Sequence, residues 1–474
     1  MRRWQNLAAP DDPGSWYDVD GVYPTNRGTY ERVYFGEASN LAATGAGDVR
    51  YCFAEKTVAG TVSWIVDGAK IWLGPTSLAD RTNGVTIGTY PYMCQFGNVT
   101  ICAMGTATAT VGSTSGGNFA AIAGVPNCEI VAVCSNAVGY FNTSTSADGY
   151  TISDVGDHTN VTTGEAVTGR LLQTPGAINA VVVYQDAFYV FKGSAVYRMR
   201  YVGGLVKWIV ELLHGDIGCT IDGGAFSAFP ELKYAAAASH DGIFFMSGFR
   251  LDSSIYGNNF YWMNGSGQFT CVTPLTFIGT TAAITTTVFI RHNADQDIFS
   301  VYCYNENTVW FFNPANGSWG RSTSPNGAAG VARPVMGGPT GLSGHRVHMP
   351  VAYYKSAADV ITKYTPNRAL AGKSCYLETS MVGKPNRKTK FLRCIPLLRR
   401  RTDRGTDSAA LSVTRFRELH DTTAANTDAV TESTQRKRFD MALTDNFARF
   451  KVTFTDLDVE VDDFLIDAAD AGRD

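Results

Sequence analysis

The sequence predicts an all-β protein: a β-propeller of six or seven irregular blades with a β platform appended at the C-terminal end. Three observations predict it. The first is the stretch Ala180 to Tyr201, AVVVYQDAFYVFKGSAVYRMRY, which holds three short strands and two turns. Val181–Tyr184 is β-branched and aromatic, Gln185-Asp186 breaks it, and Phe188–Phe191 is apolar on both alternations, as in a strand covered on both faces. Lys192-Gly193-Ser194 turns the chain. Beyond it Ala195, Tyr197, Met199 and Tyr201 fall on one face and Arg198 and Arg200 on the other. A doubly covered strand beside a half-exposed one describes a blade of packed antiparallel sheets.

The second observation is composition. The 474 residues are 45% hydrophobic and only 18% charged, with 48 glycines, against about 25% charged residues in ordinary soluble domains. Helix formers are under-used, and the Gly, Ser, Thr and Asn that replace them favour many short strands and turns. The third is recurrence. Breaks between apolar runs fall at Asp67-Gly68, Gly97-Asn98, Ser135-Asn136, Gln185-Asp186, Asp241-Gly242 and Asn305-Glu306, with a weaker one at Ser343-Gly344. Their spacing scatters around the 40–50 residues or so of a propeller blade. A pair of β-sandwiches is the competing fold.

In chain order, residues 1–45 read as an extended arm, because prolines and glycines interleave with aromatics and no periodic run develops. Residues 46–375 carry the repeats and form the propeller. Residues 376–474 change character and form the C-terminal platform. Within them, 384–404 holds nine Lys or Arg against one Asp. Near the end, Asp456, Asp458, Glu460 and Asp462 share one face of a strand and Leu457, Val459 and Val461 the other. Arg393, Arg399, Arg400 and Arg401 are the expected partners of that acidic face, within the platform or between subunits.

Several classes are excluded at this level. A net charge of −3 does not describe a general nucleic-acid binder. No apolar run reaches the 18 or so residues of a membrane span. No apolar segment follows Arg2 and Arg3, so no signal peptide is expected. Ten cysteines without a CxxC pair read as small buried hydrophobes in a reducing compartment.

Chemical motifs are sparse. There is no phosphate-binding GxxxxGK[ST] and no GxGxxG opening a helix. Gly112 to Gly116 mimics a nucleophile elbow, but Thr114 occupies its centre. His345 and His348, three apart on a strand, point to opposite faces. Asp295 and Asp297 are the best carboxylate pair. On a strand they would stand about 7 Å apart, a spacing suited to glycoside hydrolysis, yet they lie in the polar string HNADQD, which reads as a hairpin loop. No catalytic residue, cofactor or metal site is therefore expected.

An ordered set of phrases carries a resemblance: PGSWYDVDGVYPTNRG, QFGNVTICA, TGRLLQTPGAINA, RYVGGLVKWIVELLHGDIGC, WFFNPANGSWGR, and RFDMAL followed by FARFKVTFTD. In these the chain resembles the tail nozzle, or tail-hub, proteins of short-tailed double-stranded DNA bacteriophages. The resemblance implies a non-enzymatic structural protein of the virion tail, assembled in the host cytoplasm. It implies a homo-oligomeric ring, a hexamer, that joins a head–tail adaptor and tail fibres or tailspikes. Double-stranded DNA would pass through that ring without specific binding. The alternative function is a glycan-binding or glycan-cleaving propeller, such as a receptor-binding or tailspike-like protein.

Overall fold

The computed structural model describes residues 16–27, 29–32, 35–41, 51–57, 60–74, 78–88, 90–219, 233–247, 259–273, 288–293, 297–303, 308–323, 335–336, 352–355, 361–366, 374–379, 382–383, 388–400, 410–416, 426–431, 439–445, 447–455 and 459–472. Among these residues the chain is all-β, and no α-helix occurs. It divides into two compact units. One comprises residues 37–307 and 330–365, and the other residues 1–36, 308–329 and 366–474.

The larger unit is a succession of small antiparallel sheets that resemble propeller blades. Sheet 1 is Tyr51–Thr57, Gly60–Val66, Ile71–Gly74 and Ala79–Asp80. Sheet 2 is Tyr92–Phe96, Val99–Ala103, Val111–Thr114 and Ala120–Ala121. Sheet 3 is Cys128–Cys134, Ala137–Thr143, Ser146–Ile152 and Val167–Arg170. Sheet 4 is Ile178–Tyr184, Ala187–Lys192, Val196–Gly203 and Lys207–His214. Sheet 5 is Ala236–Ala238, Gly242–Ser247, Asn259–Asn264 and Phe269–Cys271. A hairpin of Val288–Asn293 and Ile298–Cys303 follows. A last sheet joins Val335–Met336, Ala352–Lys355 and Ile361–Pro366 to the N-terminal strand Phe35–Leu41.

The burial pattern explains why the chain folds this way. In sheet 4 every residue of Ala187–Lys192 is buried, whereas the outer strand Lys207–His214 is mostly half-buried or exposed. A central strand packed on both faces needs apolar residues at every position, and AFYVFK comes close to supplying them. Neighbouring sheets meet through aromatic rings. Trp64 lies 5.0 Å from Phe119, Phe141 5.2 Å from Phe188, Phe191 4.8 Å from Phe245 and Phe244 5.1 Å from Phe299. The first strand of each sheet lies beside the first strand of the next, and Val335–Met336 lies beside Tyr51–Thr57.

Where these first strands converge, three tyrosines meet. Tyr51 stacks on Tyr92 at 6.0 Å and on Tyr234 at 5.5 Å, and Tyr92 lies 5.9 Å from Tyr234 with rings 10° from parallel. Tyr92 Oη donates to the Val181 carbonyl at 3.4 Å, and Tyr234 Oη donates to the Pro91 carbonyl. Lys233, buried beside them, reaches Glu129 Oε2 at 2.9 Å.

The other unit has two sheets. In one, Trp16–Asp20 pairs with Ser374–Thr379, followed by Phe447–Thr455, Ala410–Phe416 and Asn426–Thr431. In the second, the hairpin Thr308–Asn313/Ser318–Thr323 is followed by Val22–Pro24, Tyr30–Arg32, Val459–Gly472, Lys388–Arg400 and Phe439–Asp445. Trp16–Arg32 thus contributes strands to both sheets. Arg449 Nε lies 2.6 Å from Glu378 Oε1, both side chains being nearly buried.

The turn at Asp67-Gly68 is present, closed by the aspartate side chain. Oδ1 of the buried Asp67 accepts from the amides of Ala69 and Lys70 at 2.7 and 2.6 Å, and Oδ2 accepts from Trp72 Nε1 at 2.9 Å. Asp67→Ala leaves an indole and two amides without their acceptor, and is expected to cost on the order of 3 kcal/mol in urea unfolding. Asp67→Asn, which keeps a carbonyl oxygen, should fall between it and the parent. Equal midpoints for all three proteins would refute this account of the turn.

Candidate functional site

The polar residues of the larger unit gather where first strands turn into second strands. Ser135-Asn136 has φ of 48° and 57°, and Gln185-Asp186 has 47° and 54°. Two successive left-handed residues make the tight hairpin turn that matches strand twist. These turns form a continuous edge. The Phe96 ring lies 5.5 Å from His158, and the Gly156 amide donates to the Asn136 carbonyl. Burial pushes the Cys134 thiol up to about 11, and the nearby Asp186 charge adds to the effect. Gln185 Nε2 donates to Tyr184 Oη at 3.0 Å. Gly265 packs against Tyr184 and Asp241 so closely that a Cβ there would stand 3.1 Å from the phenol oxygen.

At the end of this edge four titratable side chains meet. His292 Nε2 donates to Asp297 Oδ1 at 2.9 Å. His240 Nδ1 lies 3.5 Å from the same oxygen, and its Nε2 lies 3.1 Å from Asp241 Oδ1. His292 and Asp297 are 9% and 18% exposed, whereas His240 and Asp241 are 69% and 52% exposed. The inner pair is therefore fixed and the outer pair open to a ligand. Asp297 has φ 53°, which brings its carboxylate back over the strand it follows. The bond from His292 holds its carboxyl below the ordinary carboxylate range. Burial opposes that shift, and the charges of His240 and His292 reinforce it.

An aromatic residue adjoins the cluster. The indole of half-buried Trp262 crosses Gly242, where a Cβ would lie 2.7 Å from Trp262 Cζ2. Only glycine admits the ring so close to the Asp241 turn. Trp262 packs edge-on to Phe299 at 5.6 Å, and Phe299 lies 5.0 Å from His292. One ring nitrogen of His240 and one oxygen each from Asp241 and Asp297 lie within 4.8 Å of one another, close enough to share a divalent cation. All three already face partners within the cluster, which we read as a hydrogen-bonding group.

Sequence reasoning singled out Asp297, with Asp295 as its partner. Asp295 lies outside the described residues. The groups that meet Asp297 are His292, from its own hairpin, and His240 and Asp241, from sheet 5. Trp262 gave no signal, since a tryptophan in an apolar strand reads as core. His345 and His348 lie outside the described residues. Gly112 to Gly116 ends a strand in a turn, where Ser113 Oγ donates to the Gly117 carbonyl at 2.6 Å.

In the other unit, the strand pairing places Arg399 opposite Glu460, Arg400 opposite Val459 and Arg393 opposite Asp467. Asp462 falls at the register shift between Leu397↔Asp463 and Leu398↔Val461. Arg401, Asp456 and Asp458 lie outside the described residues.

No family model matches the chain, and no curated protein matches it. Among solved structures, the extracellular domain of a one-component system from B. thetaiotaomicron aligns with 76% of this chain at 9% identity and TM-score 0.43. The chain spans 46% of that protein's length. An exo-beta-1,3-galactanase from Phanerochaete chrysosporium aligns in two structures. The one with beta-1,3-galactotriose covers 85% of this chain at 9% identity, and the one with galactose 91% at 8%. Both have TM-score 0.28 and cover 99% or more of the galactanase. Likeness at this level assigns neither family nor activity.

These findings correct the sequence reading. The three structures named above are the extracellular domain of a one-component system and a galactanase, and none of the three is a phage tail protein. The nozzle resemblance, the virion-conduit function and the exclusion of enzymatic activity are withdrawn. The hexameric ring, adaptor, fibre and DNA expectations rested on that resemblance and go with it. No helix among the described residues is long and apolar enough to cross a membrane, which says nothing of β-barrels.

The Asp297 carboxyl is depressed in the folded state, so the stability it contributes is complete above the ordinary carboxyl pKa of about 3.9 and is lost as pH falls through the folded value. Among the described residues, His240, Asp241 and His292 are the titratable groups that face it. Asp297→Asn retains a residue tolerant of positive φ. The stability gap between parent and variant is expected to hold steady near pH 5 and shrink below pH 4 or so. A gap that widens on acidification would refute the pairing.

Proposed function

We propose that this chain binds glycans, at the cluster of Trp262, His240, Asp241 and Asp297. One observation carries the reading. A half-buried indole laid over a glycine stands beside exposed carboxylate and imidazole groups. A sugar ring presents an apolar face and a rim of hydroxyls, so it is recognised by an aromatic surface flanked by planar hydrogen-bonding groups. Asp297, kept ionised by His292, accepts from hydroxyls, and charge-assisted bonds of this kind are the stronger ones. Hydrolysis would need in addition a carboxyl kept protonated near neutral pH beside the ionised one. The assay below reads it separately.

We also infer that the larger unit is a closed propeller of seven blades. The side-by-side order of first strands, from Tyr51–Thr57 round to Val335–Met336, supports this, and Phe35–Leu41 would close the last blade. The C-terminal strands would form the separate platform.

Binding to an immobilised glycan panel tests the reading, with soluble oligosaccharides scored for reducing-sugar release. The parent is expected to retain a defined glycan class. Asp241→Asn and Trp262→Ala are expected to lose tenfold or more in affinity, about 1.4 kcal/mol, with unchanged circular dichroism. A parent that binds no glycan, or folded variants that bind as the parent does, would refute the reading.

In the smaller unit we infer charge pairing between Arg399 and Glu460, cross-strand neighbours by register. Such pairs contribute roughly 0.2–1 kcal/mol. Glu460→Lys should lower stability at low salt, and adding Arg399→Glu should restore it. A double variant no better than the single one would exclude the pairing.

A further inference from the structure

Arg291, in strand Val288–Asn293, points into the tyrosine cluster and is 2% exposed. Its guanidinium carbon lies 5.7 Å from the Tyr51 ring and 5.8 Å from the Tyr234 ring. Nη1 donates to the Ile290 carbonyl at 3.0 Å. Nε and Nη2 are buried and have no hydrogen-bond partner among the described residues. These two nitrogens form one edge of the guanidinium, and their N–H groups run parallel as the fork that grips anions side-on.

The charge cannot be removed, because arginine stays protonated in proteins. Tyrosine faces attract it but accept no bond from the fork. The buried ionisable neighbour does not compensate it either. Cys52 is held neutral because burial pushes its thiol far up, despite the opposing pull of Arg291. A buried charge without a counter-charge is among the most destabilising features a fold can carry.

We propose that a small monovalent inorganic anion of the chloride class binds the Nε–Nη2 edge of Arg291 within the tyrosine cluster. The surroundings set its size. Tyr51, Tyr92 and Tyr234 are all fully buried, so an ion held among their rings must be small. The ion would be enclosed as the unit closes and would bind the folded state alone. This site is separate from the glycan surface and stands whether or not glycans bind.

Bromide is the probe. The full chain is crystallised in sodium bromide, and thermal unfolding is followed in bromide, chloride and gluconate at constant ionic strength. Arg291→Met and Arg291→Lys are run in parallel. An anomalous bromide peak is expected within hydrogen-bonding reach of Nε and Nη2. The parent's Tm is expected to rise with halide concentration, as for a ligand that binds only the folded state, and not with gluconate. The halide response should vanish in Arg291→Met. If that variant fails to fold, the parent's halide-against-gluconate comparison and the anomalous map decide. Density at the fork without anomalous signal, bromide found only elsewhere, or a Tm indifferent to the anion would each overturn the proposal.

Discussion

The larger unit depends on the meeting of Tyr51, Tyr92 and Tyr234 where its first strands converge. Small twisted sheets set side by side leave their inner edges facing one another, and no single sheet can cover that region. A buried aromatic side chain removes about 150–250 Å² from water, worth roughly 4–6 kcal/mol each at 25 cal/mol per Å². The three rings therefore contribute more than any single surface contact described above. Their hydroxyls also fix geometry. Tyr92 and Tyr234 donate to the carbonyls of Val181 and Pro91, 89 and 143 residues away in sequence. Sheets remote in sequence are thereby held at fixed distances.

That packing determines where polar side chains can gather. With the convergence point filled by buried rings, polar side chains are displaced to the turns at the strand ends. The cluster of His240, Asp241, His292 and Asp297 is such a displaced set, arising from two turns in equivalent positions. The inner members are held by each other and by Phe299, and the outer members face solvent. A buried inner pair beneath an exposed outer pair is the arrangement that the proposed glycan binding would use, fixed charge below and accessible groups above.

Much of the fold was legible because it rests on local chemistry. The stretch Ala180–Tyr201 folds as its alternation requires, and Gln185-Asp186 is the tight turn that its polar break announces. The dipeptides at 97–98 and 135–136 also fall between first and second strands, and at 241–242 Asp241 lies between them while Gly242 opens the second strand. What periodicity cannot convey is which turns become neighbours. Asp297 was legible as a carboxylate in a loop, but its partners His240 and Asp241 lie 57 and 56 residues earlier, and only the lateral order of the sheets brings them together. Trp262 was illegible for a related reason. Its ring lies over Gly242 in the neighbouring strand, and no single-strand pattern encodes a missing Cβ across a sheet. The nozzle resemblance failed differently. Its phrases are rich in Gly, Asn and aromatic residues, the composition that short strands and tight turns require in any all-β chain.

The low charge of the sequence sharpens the position of Arg291. Five charged side chains are buried in the described part of the larger unit: Glu55, Asp67, Lys192, Lys233 and Arg291. Glu55 accepts from Trp64 Nε1 at 2.6 Å, and Asp67 accepts from an indole and two amides. Lys192 Nζ donates to the Leu171 carbonyl at 2.7 Å and to that of Thr174. Lys233, whose pKa burial lowers, meets Glu129. In each of the four the groups that carry the charge are engaged by named donors or acceptors. Among the described residues Arg291 is held on one nitrogen only, with its fork edge turned into a region of tyrosine rings. A unit that buries few charges among its described residues and satisfies four of them directly is not indifferent to the cost of burial. The fifth is best understood as satisfied too, by a group that the polypeptide does not itself supply.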